Sequence, residues 1–229
     1  MKLKWMSPLL VGIMFTQVHA EDKHVFRSQM DKINYGIGVE VVRNFKNQGM
    51  EVDLELVIKG MKDGLAGKNE IPEKEFRKMM TAFQTELRQK QATNKKLSGI
   101  DNKKKSETFL AENKTKDGVV TLPSGLQYKI IKPAEGRKPT DSDTIECNYR
   151  GTLIDGTEFD SSYEAGQPAT FKLSQGLIMG WKEALKLMPV GSKWQLFIPP
   201  SLAYGERGTG RSIGPNQVLI FEIELIAIK

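Results

Sequence analysis

The sequence predicts an α+β protein, in which a helical N-terminal half precedes a C-terminal, five-stranded antiparallel sheet wrapped on one short helix. Two observations predict this division. In residues 21–116 apolar side chains recur every three or four positions, whereas residues 117–229 alternate short apolar runs with turn residues. The first segment contains one proline and the second contains eight. Proline interrupts helices and is frequent in turns, so its distribution supports the same boundary.

Residues 1–20 have the layout of a secretory signal peptide. Lys2 and Lys4 form a basic start, an apolar run follows, and a cleavage-site pattern ends at Ala20. The apolar run is too short to span a hydrocarbon core of about 30 Å. We therefore expect an exported protein that begins at Glu21 after cleavage. The periplasm is the favoured destination, with the outer surface or secretion as alternatives.

Residues 21–71 are predicted to form two amphipathic helices that make a dimerisation domain. Asp53 is the predicted N-cap of the second helix and Gly67 its predicted end. Two short helices bury little apolar surface by themselves, so we expect them to pair with a second copy of the chain as a homodimer. The apolar positions that define the helices are Ile33, Ile37, Val41, Phe45, Leu54, Val57, Ile58, Met61 and Leu65.

A long linking helix is predicted over residues 72–116. Pro72 suits a first helical turn, and no further proline occurs before Pro123. After Leu87 the apolar positions become sparse, and Gly99 weakens the helical pattern. Two alternatives remain open: a continuous solvated arm, or a helix that breaks near Gly99.

Residues 117–229 are predicted to hold the sheet. Asp155-Gly156 is a strong hairpin signal after the second strand. The last strand is apolar on both faces in its middle, which predicts a central position. A groove is expected between the sheet and the short helix. The predicted strands are 126–131, 144–153, 169–173, 193–198 and 218–228, and the predicted short helix is 181–188.

Composition excludes several kinds of site. With one cysteine and two histidines, the chain can form neither an internal disulfide nor the usual tetrahedral zinc site. His19 lies in the expected signal peptide and His24 lies beside the expected new terminus, which argues against histidine-based catalysis. The lysine runs at 95–96 and 103–105 are interpreted as a solvated helix face. No cofactor, metal, nucleic-acid partner or membrane contact is therefore expected.

The C-terminal half contains a series of motifs, which are Asn148-Tyr149-Arg150-Gly151-Thr152-Leu153, Gly156-Thr157-Glu158-Phe159-Asp160-Ser161-Ser162, Ile178-Met179-Gly180-Trp181, Ile198-Pro199-Pro200, Leu202-Ala203-Tyr204-Gly205, Gly214-Pro215-Asn216 and Leu219-Ile220-Phe221-Glu222. In order and spacing, over residues 120–228, these motifs resemble the FKBP family of peptidyl-prolyl isomerases. Residues 30–119 resemble, more loosely, the N-terminal dimerisation region of the exported Mip-like branch, the macrophage infectivity potentiator type.

The resemblance implies an apolar pocket for a proline ring. Trp181 would form its floor and Asp160 would lie at its rim. The Tyr204 hydroxyl and the Ile178 backbone N–H would meet peptide carbonyl groups. The resemblance implies catalytic roles for Tyr149, Phe159, Asp160, Tyr204 and Phe221, and substrate-binding roles for Leu177, Ile178, Trp181 and Ile213.

The sequence departs from the best-known single-domain members at three places. Ala165 stands where they often have an arginine, which leaves the orientation of Asp160 open. Ala169 replaces a frequent aromatic residue, and the loop over 171–181 differs in length.

Prolyl isomerisation suits a chain that is poor in reactive side chains. Rotation about an X–Pro bond must overcome an amide barrier of about 18–20 kcal/mol, yet no bond is made and no proton must move. The expected function is an isomerase that assists the folding of exported proteins. Its expected partners are unfolded, proline-containing clients and macrolide inhibitors such as rapamycin. The alternative is a proline-binding chaperone or surface-interaction module whose isomerase activity is incidental.

Overall fold

The computed structural model describes residues 26–210 and 212–229. The predicted signal peptide, residues 1–20, lies outside the described residues. The chain divides into two compact units between Glu70 and Ile71. In the part of the chain that the structure describes, no helix is both long and apolar enough to cross a membrane.

The first unit contains two helices at the predicted positions, α1 (Gln29–Asn47) and α2 (Leu54–Leu65). The Asp53 carboxylate accepts hydrogen bonds from the backbone N–H groups of Glu55 and Leu56, at 2.9 and 3.1 Å, which confirms the predicted N-cap. Among residues 26–70 neither helix buries a residue. The apolar faces of both helices are therefore exposed in a single chain.

Helix α3 (Glu73–Asn113) begins the second unit and is continuous through Gly99. Its 41 residues extend for about 60 Å at 1.5 Å per residue. The expectation of a solvated arm is wrong for the second half of α3, because Gly99, Ser106 and Asn113 are buried. Gly99 and Ser106 contact the segment before β7, and Asn113 contacts β2. These residues are seven positions apart and lie on one face. They are small or polar, so a search for apolar periodicity does not detect this face.

The sheet has seven strands in the described residues, and the prediction of five is wrong. The strand order is β1-β2-β6-β7-β3-β4, β5 pairs with β3, and all pairs are antiparallel. Strand β7 lies between β6 and β3, which confirms its predicted central position. The strands are β1 (Val119–Thr121), β2 (Gln127–Lys132), β3 (Thr144–Thr152), β4 (Glu158–Ser161), β5 (Ala169–Lys172), β6 (Lys193–Ile198) and β7 (Leu219–Ile228).

Strands β1 and β4 are the two that the sequence did not predict. They have three and four residues, and each is added to an edge of the sheet by pairing with a longer strand, β1 with β2 and β4 with β3. Strand β5 also has four residues but was predicted, so length alone does not explain the two that were missed.

Helix α4 (Met179–Leu185) packs on the sheet and forms the core with it. It begins and ends earlier than the predicted 181–188. Gly180 allows the close approach, because a Cβ atom there would lie 2.5 Å from Cγ2 of Ile198. The buried core between α4 and the sheet includes Trp181, Ala184, Leu185, Leu196, Ile198, Leu219, Phe221, Ile223 and Leu225.

Candidate active site

Aromatic side chains from β3, β4, β5 and β7 meet beside α4, and Trp181 lies at their centre. The Trp181 ring is nearly perpendicular to those of Tyr149, Phe171 and Phe221, with centroid distances of 5.1, 5.5 and 5.1 Å. Phe159 packs edge-to-face on Phe221 at 5.4 Å. Edge-to-face contacts are favourable because the positive edge of one ring meets the negative face of the next. The result is an apolar cluster of mutually perpendicular rings with Trp181 at its centre.

Gly151 on β3 allows two of these rings to meet. The register of the sheet pairs Gly151 with Asp160 on β4 and with Phe221 on β7. A Cβ atom at position 151 would lie 2.7 Å from ring atoms of both Phe159 and Phe221. Real Cβ atoms do not approach other atoms so closely, so this part of the pocket requires glycine.

The Asp160 carboxylate is exposed and is oriented by Tyr149. The Tyr149 hydroxyl donates a hydrogen bond to Asp160 Oδ2 at 2.9 Å. Burial, and then the hydrogen bond to Asp160, raise the pKa of Tyr149. The hydroxyl therefore stays protonated and remains a donor to the carboxylate. Ala165 stands where an arginine is frequent, and this left the orientation of Asp160 open. The neutral hydroxyl group of Tyr149, on the adjacent strand, provides that orientation.

The other predicted site residues come from the segments that flank the sheet. Leu177 and Ile178 precede α4 and pack, half-buried, on the core. Ile213 is buried in the same cluster as Trp181 and Phe221. Tyr204 is exposed, as Asp160 is, and its backbone carbonyl accepts a hydrogen bond from Gly208 N at 3.2 Å. The apolar candidates thus join one cluster, while Asp160 and Tyr204 are placed at the surface.

Comparison with known families covers both halves of the chain. Residues 135–226 match the family described as FKBP-type peptidyl-prolyl cis-trans isomerase. Residues 30–130 match the domain amino terminal to FKBP-type peptidyl-prolyl isomerase. The chain belongs to the FKBP-type isomerases. The predicted family and enzyme class are confirmed.

Relatives of this FKBP-type chain match it over nearly its whole length. It is 46% identical to the outer membrane protein MIP of Legionella longbeachae, over 100% of this chain and 99% of the relative. It is 41% identical to the peptidyl-prolyl cis-trans isomerase Mip of Coxiella burnetii, over 96% of each. The crystal structure of FkpA from Escherichia coli matches with a TM-score of 0.65 and 35% identity, over 90% of this chain and 99% of that one. The Mip-like resemblance is therefore confirmed.

Sequence reasoning missed two residues that contact the candidate site residues of this FKBP-type chain. Phe171 on β5 contacts Trp181 and also Tyr149, whose ring centroid is 5.9 Å away. Ser162 is buried, and its hydroxyl accepts a hydrogen bond from Tyr149 N at 2.9 Å. Ser162 thereby fixes the backbone of the residue that orients Asp160. Phe171 lies in the predicted third strand two positions after Ala169, so strand alternation was a signal that could have found it.

Proposed function

We propose that this chain is an exported, homodimeric prolyl isomerase that assists the folding of exported proteins and uses Asp160, Tyr204 and the aromatic cluster as its catalytic pocket. The observation that carries the proposal is the wall of perpendicular rings around Trp181, with a carboxylate held at its open edge by Tyr149. Trp181, Leu177, Ile178 and Ile213 bind the proline ring in this proposal. Tyr149, Phe159, Asp160, Tyr204 and Phe221 act on the twisting amide.

Catalysis in this pocket requires no covalent step. A twisted amide has lost resonance and with it much of its charge separation, so an apolar wall disfavours the twisted state less than water does. Asp160 and the Tyr204 hydroxyl polarise or fix the carbonyl group that precedes the proline. A thousandfold acceleration requires only about 4 kcal/mol of differential stabilisation. Shape, low polarity and two polar groups can supply that amount together.

The proposal is tested by measuring cis-to-trans isomerisation of a short X–Pro peptide by residues 21–229, with and without rapamycin. We expect fast turnover that the drug blocks, because rapamycin competes for the apolar pocket. Denatured chain serves as the control for buffer catalysis. A folded chain that binds proline-containing protein but gives no turnover would contradict the proposal and favour the binding-module alternative.

The dimer is proposed from the exposed apolar surface of the first unit. An apolar groove between α1 and α2 is lined by Tyr35, Val39, Leu54 and Ile58, among others. A second copy of the same chain would cover these faces. Residues 30–71 lie within the region, residues 30–130, that matches the domain amino terminal to FKBP-type isomerases. In this proposal 72–116 is the linking helix and 117–229 the isomerase domain. One client that spans two pockets would then gain effective concentration.

We expect Ile58→Glu to convert residues 21–229 from dimer to monomer. Ile58 lines the α1–α2 groove and is 43% exposed in the single chain, so a glutamate there would have to be buried without a partner on association. Light scattering at tens of micromolar gives the mass. Leu97→Glu is the matched control, because Leu97 is 60% exposed on α3, outside the groove. A dimeric Ile58→Glu protein, or a monomeric wild type, would contradict the proposed interface.

Export is proposed from the first twenty residues and is consistent with the lone cysteine. Cys147 is buried on β3, and burial raises the pKa of its thiol to about 12. A thiol that is neither exposed nor ionised is protected from mispairing in an oxidising compartment. The periplasm is the proposed destination, with the outer surface or secretion as alternatives.

A further inference from the structure

We call residues 204–210 and 212–213 of the described chain the pocket loop. Hydrogen bonds join α3 to residues 215–218, which follow this loop. The Ser106 hydroxyl donates to Asn216 O at 2.7 Å and accepts from Val218 N at 3.1 Å. Asn102 Nδ2 donates to Pro215 O at 2.9 Å. Asn216 Nδ2 donates in the opposite direction, to Gly99 O at 3.1 Å. Successive turns of the helix therefore hold residues 215–218.

Ser106 is the central member of this set. Ser106 is 2% exposed, and its one hydroxyl bonds the part-buried carbonyl group of Asn216 and the buried N–H group of Val218 at the same time. Buried backbone groups are almost always paired, because leaving them unpaired is costly. The bonds of Ser106 thus fix where residues 216–218 lie relative to α3.

The same segment fixes the base of the pocket loop. Asn216 N donates to Gly205 O at 2.8 Å, and Gly205 directly follows Tyr204. Asn216 has φ of +55°, a left-handed conformation that asparagine adopts more readily than most residues with a side chain. At the other end of the loop, Thr209 N donates to Ile213 O at 2.9 Å. Tyr204 is therefore linked to α3 through Gly205, Asn216 and Ser106. Ile213 lies two residues before Pro215, whose carbonyl group is held by Asn102 of α3.

We propose that α3 is part of the catalytic unit, with Ser106 and Asn216 as positioning residues that set Tyr204 and Ile213 against the proline pocket. This inference rests on the pocket roles proposed above for Tyr204 and Ile213. Neither Ser106 nor Asn216 is proposed to touch the reacting amide. They act by holding the backbone of the loop that presents the two side chains.

A purely structural role for the α3 contact is the competing explanation, and α3 offers a matched control. Asn113 is 1% exposed on the same face of the helix, and its Nδ2 donates to Gln127 Oε1 at 2.9 Å. Gln127 is the first residue of β2, and its Nε2 donates a hydrogen bond to Leu110 O at 2.9 Å. Asn113 is thus as buried as Ser106 and bonds the same helix to the sheet, but through a strand that carries no pocket residue.

The experiment compares Ser106→Ala with Asn113→Ala in residues 21–229. Thermal midpoints, and kcat and KM for an X–Pro peptide, are measured at a temperature where all proteins are folded. Both variants are expected to lower the thermal midpoint. Ser106→Ala is expected to lower kcat/KM about tenfold, because both hydrogen bonds that hold residues 216–218 are lost and a small misplacement of the loop side chains is enough for such a loss. Asn113→Ala is expected to stay within about twofold of wild type.

A double-mutant comparison distinguishes an effect of Ser106 that acts through Tyr204 from a general disturbance of the folded structure. In a Tyr204→Phe background the effect of Ser106→Ala is expected to shrink, because the hydroxyl that Ser106 positions is already absent. Equal kinetics for Ser106→Ala and wild type, or equal losses for Ser106→Ala and Asn113→Ala, would overturn the inference. If Tyr204→Phe alone has wild-type activity, the proposed pocket role of Tyr204 fails instead. Should Ser106→Ala not fold, Asn102→Ala, which loses only the bond to Pro215, is measured by the same criteria.

Discussion

Replacing Asp160 with leucine is expected to lower kcat/KM for an X–Pro peptide by about ten- to hundredfold, because hydrogen bonds to charged groups contribute about 1.5–3 kcal/mol. The carboxylate lies exposed at the rim, so its loss leaves the core intact and the thermal midpoint nearly unchanged. Measurement of isomerisation and of thermal unfolding on the same protein tests both statements. A folded Asp160→Leu protein with unchanged kcat/KM would remove Asp160 from the mechanism.

Glu158→Leu provides the matched control. Glu158 lies two residues before Asp160 on β4, across a register shift, so it is opposite Thr152 whereas Asp160 is opposite Gly151. Its carboxylate pairs with Arg150 rather than with a pocket residue. The Glu158→Leu substitution removes one negative charge from the same edge of the sheet. An equal loss of kcat/KM in Glu158→Leu and Asp160→Leu would therefore indicate an effect of net charge. We expect Glu158→Leu to be active.

Tyr149→Phe separates the orientation of Asp160 from its charge. The variant keeps the ring that contacts Trp181 and loses only the hydroxyl that donates to Asp160. Its kcat/KM is expected to fall less than that of Asp160→Leu. In the double variant the two losses are expected not to add, because both act through one hydrogen bond.

The sequence predicted those parts of the fold that depend on local patterns. The periodicity of α1 and α2, the N-cap at Asp53 and the apolar centre of β7 are all set by residues near one another in the chain. The short strands β1 and β4 could not be predicted, because they are strands only through pairing with β2 and β3. The packed face of α3 was missed for another reason: its contacts are made by Ser106 and Asn113, which belong to no apolar pattern.

The candidate site was predictable from motifs but its internal contacts were not. The resemblance identified Tyr149 and Asp160 as separate pocket residues, and it left the partner of Asp160 open. Their hydrogen bond depends on the antiparallel register of β3 and β4, which pairs Gly151 with Asp160 and contains a shift beside that pair. Register and bulges depend on the whole sheet, so residue types alone do not specify them.

Removing the floor of the pocket is expected to have the largest effect on stability. Trp181 is 3% exposed and makes perpendicular contacts with three rings, so Trp181→Ala is expected to cost about 3–5 kcal/mol. For a unit of this size each kcal/mol lowers the thermal midpoint by roughly 2–4 °C. Turnover should be lost as well, because no surface remains beneath the proline ring. Differential scanning calorimetry and the peptide assay measure the two effects.

Loss of turnover in Trp181→Ala has two possible causes, and Trp194 distinguishes them. Trp194 is 4% exposed and stacks on Tyr128 at 4.3 Å, in the same core but on β6. Trp194→Phe and Trp181→Phe each keep an aromatic ring, so both proteins should fold, and only Trp181→Phe should lose kcat/KM substantially. Equal activity in the two variants would show that the floor of the pocket lies elsewhere.

Fluorescence gives the same comparison a readout that does not depend on turnover. The chain has three tryptophans, and Trp5 lies in the expected signal peptide, so residues 21–229 retain Trp181 and Trp194. In Trp194→Phe all the tryptophan emission comes from Trp181. Rapamycin is expected to change that emission and to leave the emission of Trp181→Phe nearly constant, since a ligand in the pocket must lie on Trp181. A response confined to Trp194 would place the ligand outside the aromatic cluster and would contradict the assigned pocket directly.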